Sequence, residues 1–309
     1  MASRIMLAMR EWLEYAAAWI GLKTLGLLPR PAARVVGAAF AAAAYRVRTP
    51  LRRAAMFNLR LAFPEWDDAA RERAIRGMVR QIGWMAGEFS QFPKYTRAKI
   101  EKIVRVEGFE HFDCARRRGK GVLLLTGHMS AWELAPFAHA LYGHPLHFLV
   151  RPIANARVDA LINSYRCSSG NQPIEKNRSA RPILKVLAGG GTVGVLADHN
   201  TAIEEGVFVN FFGLPASTTS GLARLALRTG AAVVPGFLSW DEARRQYTLQ
   251  FQPAVELVCT GNEESDIVES TARFSLVIEN YIRAHPDQWL WIHKRWKTRP
   301  PGEKPLYPF

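Results

Sequence analysis

Between residues 104 and 251 the chain alternates short apolar runs with helical segments, and this alternation restricts the fold more than any other feature. The runs fall at 104–106, 122–125, 147–150, 192–196, 232–235 and 247–251. Strand-sized runs separated by stretches of helical period predict an α/β fold with a mostly parallel central sheet flanked by helices. Ligands on such sheets gather beyond the carboxyl ends of the strands, which is where His128, Arg151 and Asp198 fall.

Residues 1–100 read instead as helices, punctuated by Pro29-Arg-Pro31, Thr49-Pro50 and Phe63-Pro64. Residues 67–87 have a charged, amphipathic pattern, and a last helix at 264–284 stops before His285-Pro286. The chain has no internal repeat, low-complexity tract or long linker. It divides into an N-terminal helical, membrane-associating region (1–100) and an α/β core (101–309) with a C-terminal helix and a basic aromatic tail, all in one structural domain.

With 309 residues, 49% of them hydrophobic, the chain can bury a large core, and disorder is excluded. Cys114, Cys167 and Cys259 are far apart and form no C-x-x-C pair. That leaves no disulfide framework or cysteine zinc site and fits a reducing compartment. The formal charge of +14 calls for an anionic partner. Residues 1–60 carry ten Lys or Arg against Glu11 and Glu14, interleaved with apolar runs at 16–22 and 35–44, which suits an anionic membrane surface. The tail, Trp289-Leu-Trp-Ile-His-Lys-Arg-Trp-Lys-Thr-Arg-Pro300, repeats the mixture of Trp and cations found at headgroup level. Such a mixture also binds single-stranded nucleic acid, but there is no helix-turn-helix or zinc-finger pattern, so nucleic acid is not expected as a partner. Lys23 interrupts the apolar run at 15–28, leaving an in-plane helix or a single marginal anchor, and Glu11 and Glu14 argue against a signal peptide.

The strand-like run Gly121-Val-Leu-Leu-Leu-Thr-Gly-His128-Met-Ser-Ala-Trp-Glu133 leads straight into a His and a Glu five positions apart. Ser130 and Glu133 have the spacing of a capping box, which would start a helix there and bring base and acid to one side of the junction. Spacing alone carries little weight, because His199 and Glu204 repeat it. The segment after Glu133 is helical in pattern, whereas 201–206 reads as a loop. His139, His144 and His147 have metal-like spacing without a nearby carboxylate or thiolate, so no metal is expected. Gly189-Gly-Gly191 lacks the Gly-Lys-Ser/Thr ending of a phosphate loop and marks a helix stop.

This run resembles the His-x4-acid block of the lysophospholipid and glycerolipid acyltransferases, specifically the lipid A late (lauroyl/myristoyl) acyltransferase family. Arg151-Pro-Ile-Ala-Asn155 is similar to that family's arginine block. Leu196-Ala-Asp198-His-Asn200, leading to Val207-Phe-Val-Asn-Phe-Phe-Gly213, is similar to its third block. Thr229-Gly-Ala-Ala-Val-Val-Pro235 is similar to the fourth, and residues 286–300 to its C-terminal signature. The resemblance covers roughly residues 105–300. The third block departs from it, since lipid A members commonly have Asp-Gln where this chain has Asp198-His199, and that leaves the acceptor open.

The resemblance implies an enzyme at the cytoplasmic face of the bacterial inner membrane. It would move a fatty acyl chain from acyl carrier protein or coenzyme A to a hydroxyl of a lipid A precursor or related glycolipid, with no further cofactor. Alternatives are a lysophospholipid, mannosylated inositol lipid or aminolipid acceptor, or a basic binding protein without catalysis. A neutral imidazole, of intrinsic pKa about 6.5, suits His128 as general base, with Glu133 orienting its ring. Without a Gly-x-Ser-x-Gly elbow or a partnered cysteine, direct transfer is expected. Arg151 is the candidate clamp for phosphate or a donor carbonyl. Asp198 would accept from a headgroup hydroxyl, and Asn155 and Arg224 are further candidates for substrate contact.

Overall fold

The computed structural model describes residues 2–176 and 179–309. Among these residues nine strands form a seven-stranded sheet in the order β1-β9-β8-β2-β5-β3-β4 and a separate hairpin, β6-β7. The strands are β1 (Val104–Glu107), β2 (Val122–Thr126), β3 (His147–Val150), β4 (Gln172–Glu175), β5 (Thr192–Leu196), β6 (Gly206–Phe211), β7 (Leu214–Thr219), β8 (Ala232–Asp241) and β9 (Gln246–Phe251). Every pairing in the large sheet is parallel except β8 with β9. The predicted mostly parallel α/β architecture is the one found. β4 and β7 have polar or irregular patterns with no apolar run to announce them, and the run at 207–209 that forms β6 is absent from the expected strands.

Four helices precede the sheet: α1 (Ala2–Leu27), α2 (Arg30–Val47), α3 (Thr49–Ala62) and α4 (Asp68–Gln91). A one-turn α5 (Arg97–Ile100) then leads into β1. Asp67 starts α4 by accepting the Ala70 N–H at 2.6 Å. α2 lies against α4 at backbone distance, since a Cβ on Gly37 would stand 2.2 Å from the Gly83 carbonyl oxygen. The two helices also share buried charge: Glu88, fully buried, pairs with Arg30 at 2.7 Å and accepts from Tyr95. Arg34 sits over the rings of Trp84 and Trp240 at 3.5 and 4.2 Å. Of the arginines that the sequence assigns to a basic surface, Arg34 is therefore buried and Arg30 partly buried. No helix among the described residues is long and apolar enough to cross a membrane, which removes the single-anchor alternative for them.

The strands are separated by α6 (Phe109–Arg117), α7 (Leu134–Leu141), α8 (Ala156–Arg166), α9 (Ala180–Ala188) and α10 (Gly221–Thr229), and α11 (Glu263–Ala284) follows the sheet. Period-two alternation divides the apolar side chains between two cores. Leu123, Leu125, Val193 and Val195 face the core made with α3, α4 and α11, whereas Val122, Leu124, Val234 and Leu238 face α6 and α7. The tail does not have the headgroup-level role expected of it. Trp289, Trp291, Arg295 and Trp296 are fully buried. Each indole N–H has a partner inside: Asp198, the Pro286 carbonyl and the Phe211 carbonyl respectively. Arg295 donates to the Ser217 carbonyl at 2.7 Å and to Thr218 Oγ1. A composition typical of a membrane interface is here the seam between the hairpin and the main sheet, because Trp and Arg satisfy buried carbonyls as readily as headgroups.

Candidate active site

Two neighbouring strand ends build the site. β2 leaves the sheet at Thr126 and β5 at Leu196, and these two residues pair in parallel register. His128 and Asp198 therefore emerge side by side two positions further on. Gly127 makes room for the pair, since a Cβ there would stand 3.2 Å from the Asp198 carboxyl group. Asp198 Oδ1 lies 2.8 Å from His128 Nδ1, and Oδ2 accepts from the His128 backbone N–H and from Trp289 Nε1, each at 2.8 Å. Burial alone would push this carboxyl up. The His128 ring and backbone N–H, with His199 beside them, instead pull it well below the usual carboxylate range. An ionised carboxylate can only accept, so the Nδ1 proton belongs to His128, and in the neutral ring the lone pair is on Nε2.

One face of the His128 ring is stacked. His199 lies on it at 3.7 Å with the planes 3° apart, His293 lies on His199 at 3.9 Å, and Trp132 meets His128 edge-on at 5.2 Å. The Asn200 N–H donates to His293 Nε2 at 2.8 Å. Burial lowers His199 to about 4 and His293 to about 3, so both are neutral near pH 7. His128, Asp198 and His199 bring ligand-type atoms within 4.8 Å of one another, the one such trio among the described residues. They fit a metal poorly. The lone pairs of the two stacked rings lie in near-parallel planes 3.7 Å apart and do not converge on one point between them, and both Asp198 oxygens are already occupied.

Glu133 is engaged elsewhere. The expected capping box does not form: α7 begins at Leu134, and Ser130, at φ 50°, donates its hydroxyl to Gln81 Oε1 at 3.0 Å. The cause is a bridge between Met129 and Trp289, continued by the Ser130 N–H on the Gln288 carbonyl at 2.7 Å, which pins the segment outside a helix just past His128. The Glu133 carboxylate grips the Arg166 guanidinium at the end of α8 in a bidentate pair, with Nε to Oε2 at 2.9 Å. In this structure the carboxylate on the His128 ring is that of Asp198.

Between α7 and the sheet lies an apolar cavity of about 110 Å³. Trp132, Glu133 and Arg166 line it beside His128, and its floor takes one sheet face, including Thr126, Leu124, Gly194 and Gly236. The lining residues come from β3, β5, β2, β8 and β9, so the slot runs under α7 across four inter-strand spacings, about 19 Å.

The remaining candidates lie around this centre. Arg151 is exposed, one residue beyond β3. Asn155 is buried with its hydrogen-bonding groups taken by protein partners: Oδ1 caps α8 through the Arg157 and Val158 N–H groups, and Nδ2 donates to the Glu11 carbonyl and Glu14. Arg224 sits on α10, 4.0 Å from Glu263 at the start of α11, and does not line the slot. Sequence reasoning missed Arg166, His293 and Trp289, and set His199 aside. Only His199 carried a usable signal, its place directly after Asp198 at the end of a strand.

A profile described as bacterial lipid A biosynthesis acyltransferase matches residues 2–298. The chain belongs to this family. Relatives include a lipid A biosynthesis palmitoleoyltransferase of Escherichia coli, 28% identical over 309 residues, covering 99% of this chain and 97% of the relative. A lauroyltransferase of the same organism is 27% identical, covering 99% and 98%. A lipid A biosynthesis acyltransferase of Haemophilus influenzae is 27% identical, covering 82% and 77%. As a member of the lipid A acyltransferase family the protein is an acyltransferase.

Proposed function

We propose that this acyltransferase moves a fatty acyl chain from a thioester of acyl carrier protein or coenzyme A to a hydroxyl of a lipid A precursor or related glycolipid. The observation that carries the reading is the His128–Asp198 pair beside an apolar slot. The slot takes the hydrocarbon, and His128 Nε2 removes the hydroxyl proton as the oxygen attacks the thioester carbon. Collapse of the tetrahedral adduct breaks the C–S bond, and the departing thiolate takes the proton from the imidazolium. Asp198 fixes the tautomer and stabilises that transient cation. The thioester is already activated, so no further cofactor is required. Arg151, exposed beyond β3, is suited to a phosphate of either substrate.

The acceptor is a membrane lipid, and α1 carries the surface to meet it: Leu7, Met9, Trp12, Leu13, Trp19 and Ile20 are exposed. The formal charge of +14 favours anionic lipid, in keeping with peripheral attachment at the cytoplasmic face of the inner membrane and no role for nucleic acid. The test is His128→Ala with a labelled acyl thioester and membranes, where transfer should fall by about 10²-fold or more. Undiminished transfer by a folded variant would overturn the mechanism. Mass spectrometry of lipids from cells with and without the protein identifies the acceptor.

A further inference from the structure

His139 stands on α7 at the far end of the slot, and its imidazole is the least expected group there. It is 3% exposed, and neither ring nitrogen has a hydrogen-bond partner. A buried polar group left unpaired costs about 1–3 kcal/mol, which an apolar ring of the same size would avoid. Burial lowers His139 to about 3, so the ring is neutral and is held by packing alone. Phe112 meets it edge-on at 4.7 Å and Phe251 lies at 5.7 Å.

Behind the ring is a second cavity of about 280 Å³. The two cavities share three lining residues, His139, Leu249 and Phe251. Phe251 is fixed between Phe109 and Phe112. The second cavity leads to Arg97, Tyr142 and His144, and the Arg97 side chain is 60% exposed. The apolar slot therefore runs from Trp132, whose ring meets His128 at 5.2 Å, to a partition shared with the second cavity, and beyond it the surroundings turn polar.

The slot's floor also has an unusual composition. Gly194 lies inside β5 and Gly236 inside β8, both facing the slot, and neither has a positive φ that would demand glycine. Glycine within a strand weakens it and marks places where a ligand approaches closely. A Cβ on Gly194 would meet nothing nearer than Leu146 Cδ1 at 3.6 Å, an ordinary contact, so a side chain is tolerable there and its absence supplies volume.

We propose that His139 is the end stop of the acyl slot: the partition it forms with Leu249 and Phe251 limits the length of the hydrocarbon accepted, and Gly194 provides the width along the way. This deepens the acyl-transfer reading and rests on it. A methyl end that reaches the partition has no apolar space left, whereas removing the imidazole would join the two cavities.

The experiment uses the full chain and a series of saturated acyl-coenzyme A thioesters of increasing length, read by transfer to a lipid A precursor and by the rise in melting temperature on binding. His139→Ala should move both optima to longer chains and raise the preference for them roughly tenfold per step. Gly194→Ala should move both optima to shorter chains, and His139→Phe, which restores a ring, should return them to the wild-type length. A His139→Ala variant with the wild-type profile overturns the end stop. Should that variant fail to fold, Gly194→Ala decides, and an unmoved optimum overturns the proposal. Chain-length-dependent melting without transfer by the wild type, from coenzyme A and acyl carrier protein thioesters alike, would count for the end stop and against the acyl-transfer reading.

Discussion

Replacing Asp198 with Asn keeps the shape of the site and changes one proton. The amide can donate to His128 Nδ1, which favours the tautomer with hydrogen on Nε2 and removes the base. A loss of turnover on the order of 10³–10⁴-fold is expected, with folding retained, measured by acyl transfer alongside a urea melt. Turnover within tenfold of wild type would mean that His128 does not act through Asp198. Both members of this pair were legible as residues beyond strand ends, and their partnership follows from the β2–β5 register, which a single sequence does not reveal. Glu133 illustrates the reverse. Its spacing from His128 suggested a contact, yet a bridge to a tryptophan 160 positions downstream decides how that segment runs.

Helices carry the next level of organisation. α1 is fastened to the core at its polar edge, where Asn155 grips the Glu11 carbonyl and Arg157 stacks on Trp12 at 3.9 Å, while Leu13 and Ile20 stay exposed. Leu13→Glu and Ile20→Glu should each weaken binding to anionic vesicles by about tenfold, measured by co-sedimentation, without lowering the melting temperature. Unchanged vesicle binding in the double variant would remove α1 as the membrane face. A second pairing ties α7 to α8 through Glu133 and Arg166, both partly buried. Arg166→Gln strands the carboxylate beside an apolar slot, so adding Glu133→Gln should recover part of the lost stability. A coupling of about 0.5–3 kcal/mol in a double-mutant cycle is the expected size, and additive losses would deny the interaction. Helix positions in residues 1–100 could be read from period and proline. Which arginines face inward could not, because Arg30 and Arg34 are distinguished only by their neighbours Glu88 and Trp84.

At the scale of the whole molecule, the buried Trp–Arg seam predicts that the tail acts through folding. Trp296→Ala should destabilise by roughly 3–5 kcal/mol in urea denaturation. A normal melt with lost vesicle binding would instead return the tail to the membrane. The buried histidines set an acid limit. His199 at about 4, with His139 and His293 at about 3, lie below the unfolded value of about 6.5. The unfolded chain therefore binds more protons than the native one between these values. The stability from keeping these rings neutral is complete above about pH 6.5 and is lost as pH falls towards 4 and then 3, on the order of 1 kcal/mol per pH unit for each ring. Urea melts between pH 7 and 4 measure the slope, and a flat profile would place the rings in solvent.

The pairing of Asp198 with Trp289 also has a consequence for synthesis. His128 and Asp198 are 70 residues apart, and the indole that holds the carboxylate arrives 91 residues later still. A growing chain that has made β2 and β5 already contains His128 and Asp198 but lacks the donor that fixes them. Contacts of such long separation form late. On the proposed mechanism, a ribosome-bound chain should show no acyl transfer until residue 289 has emerged and docked.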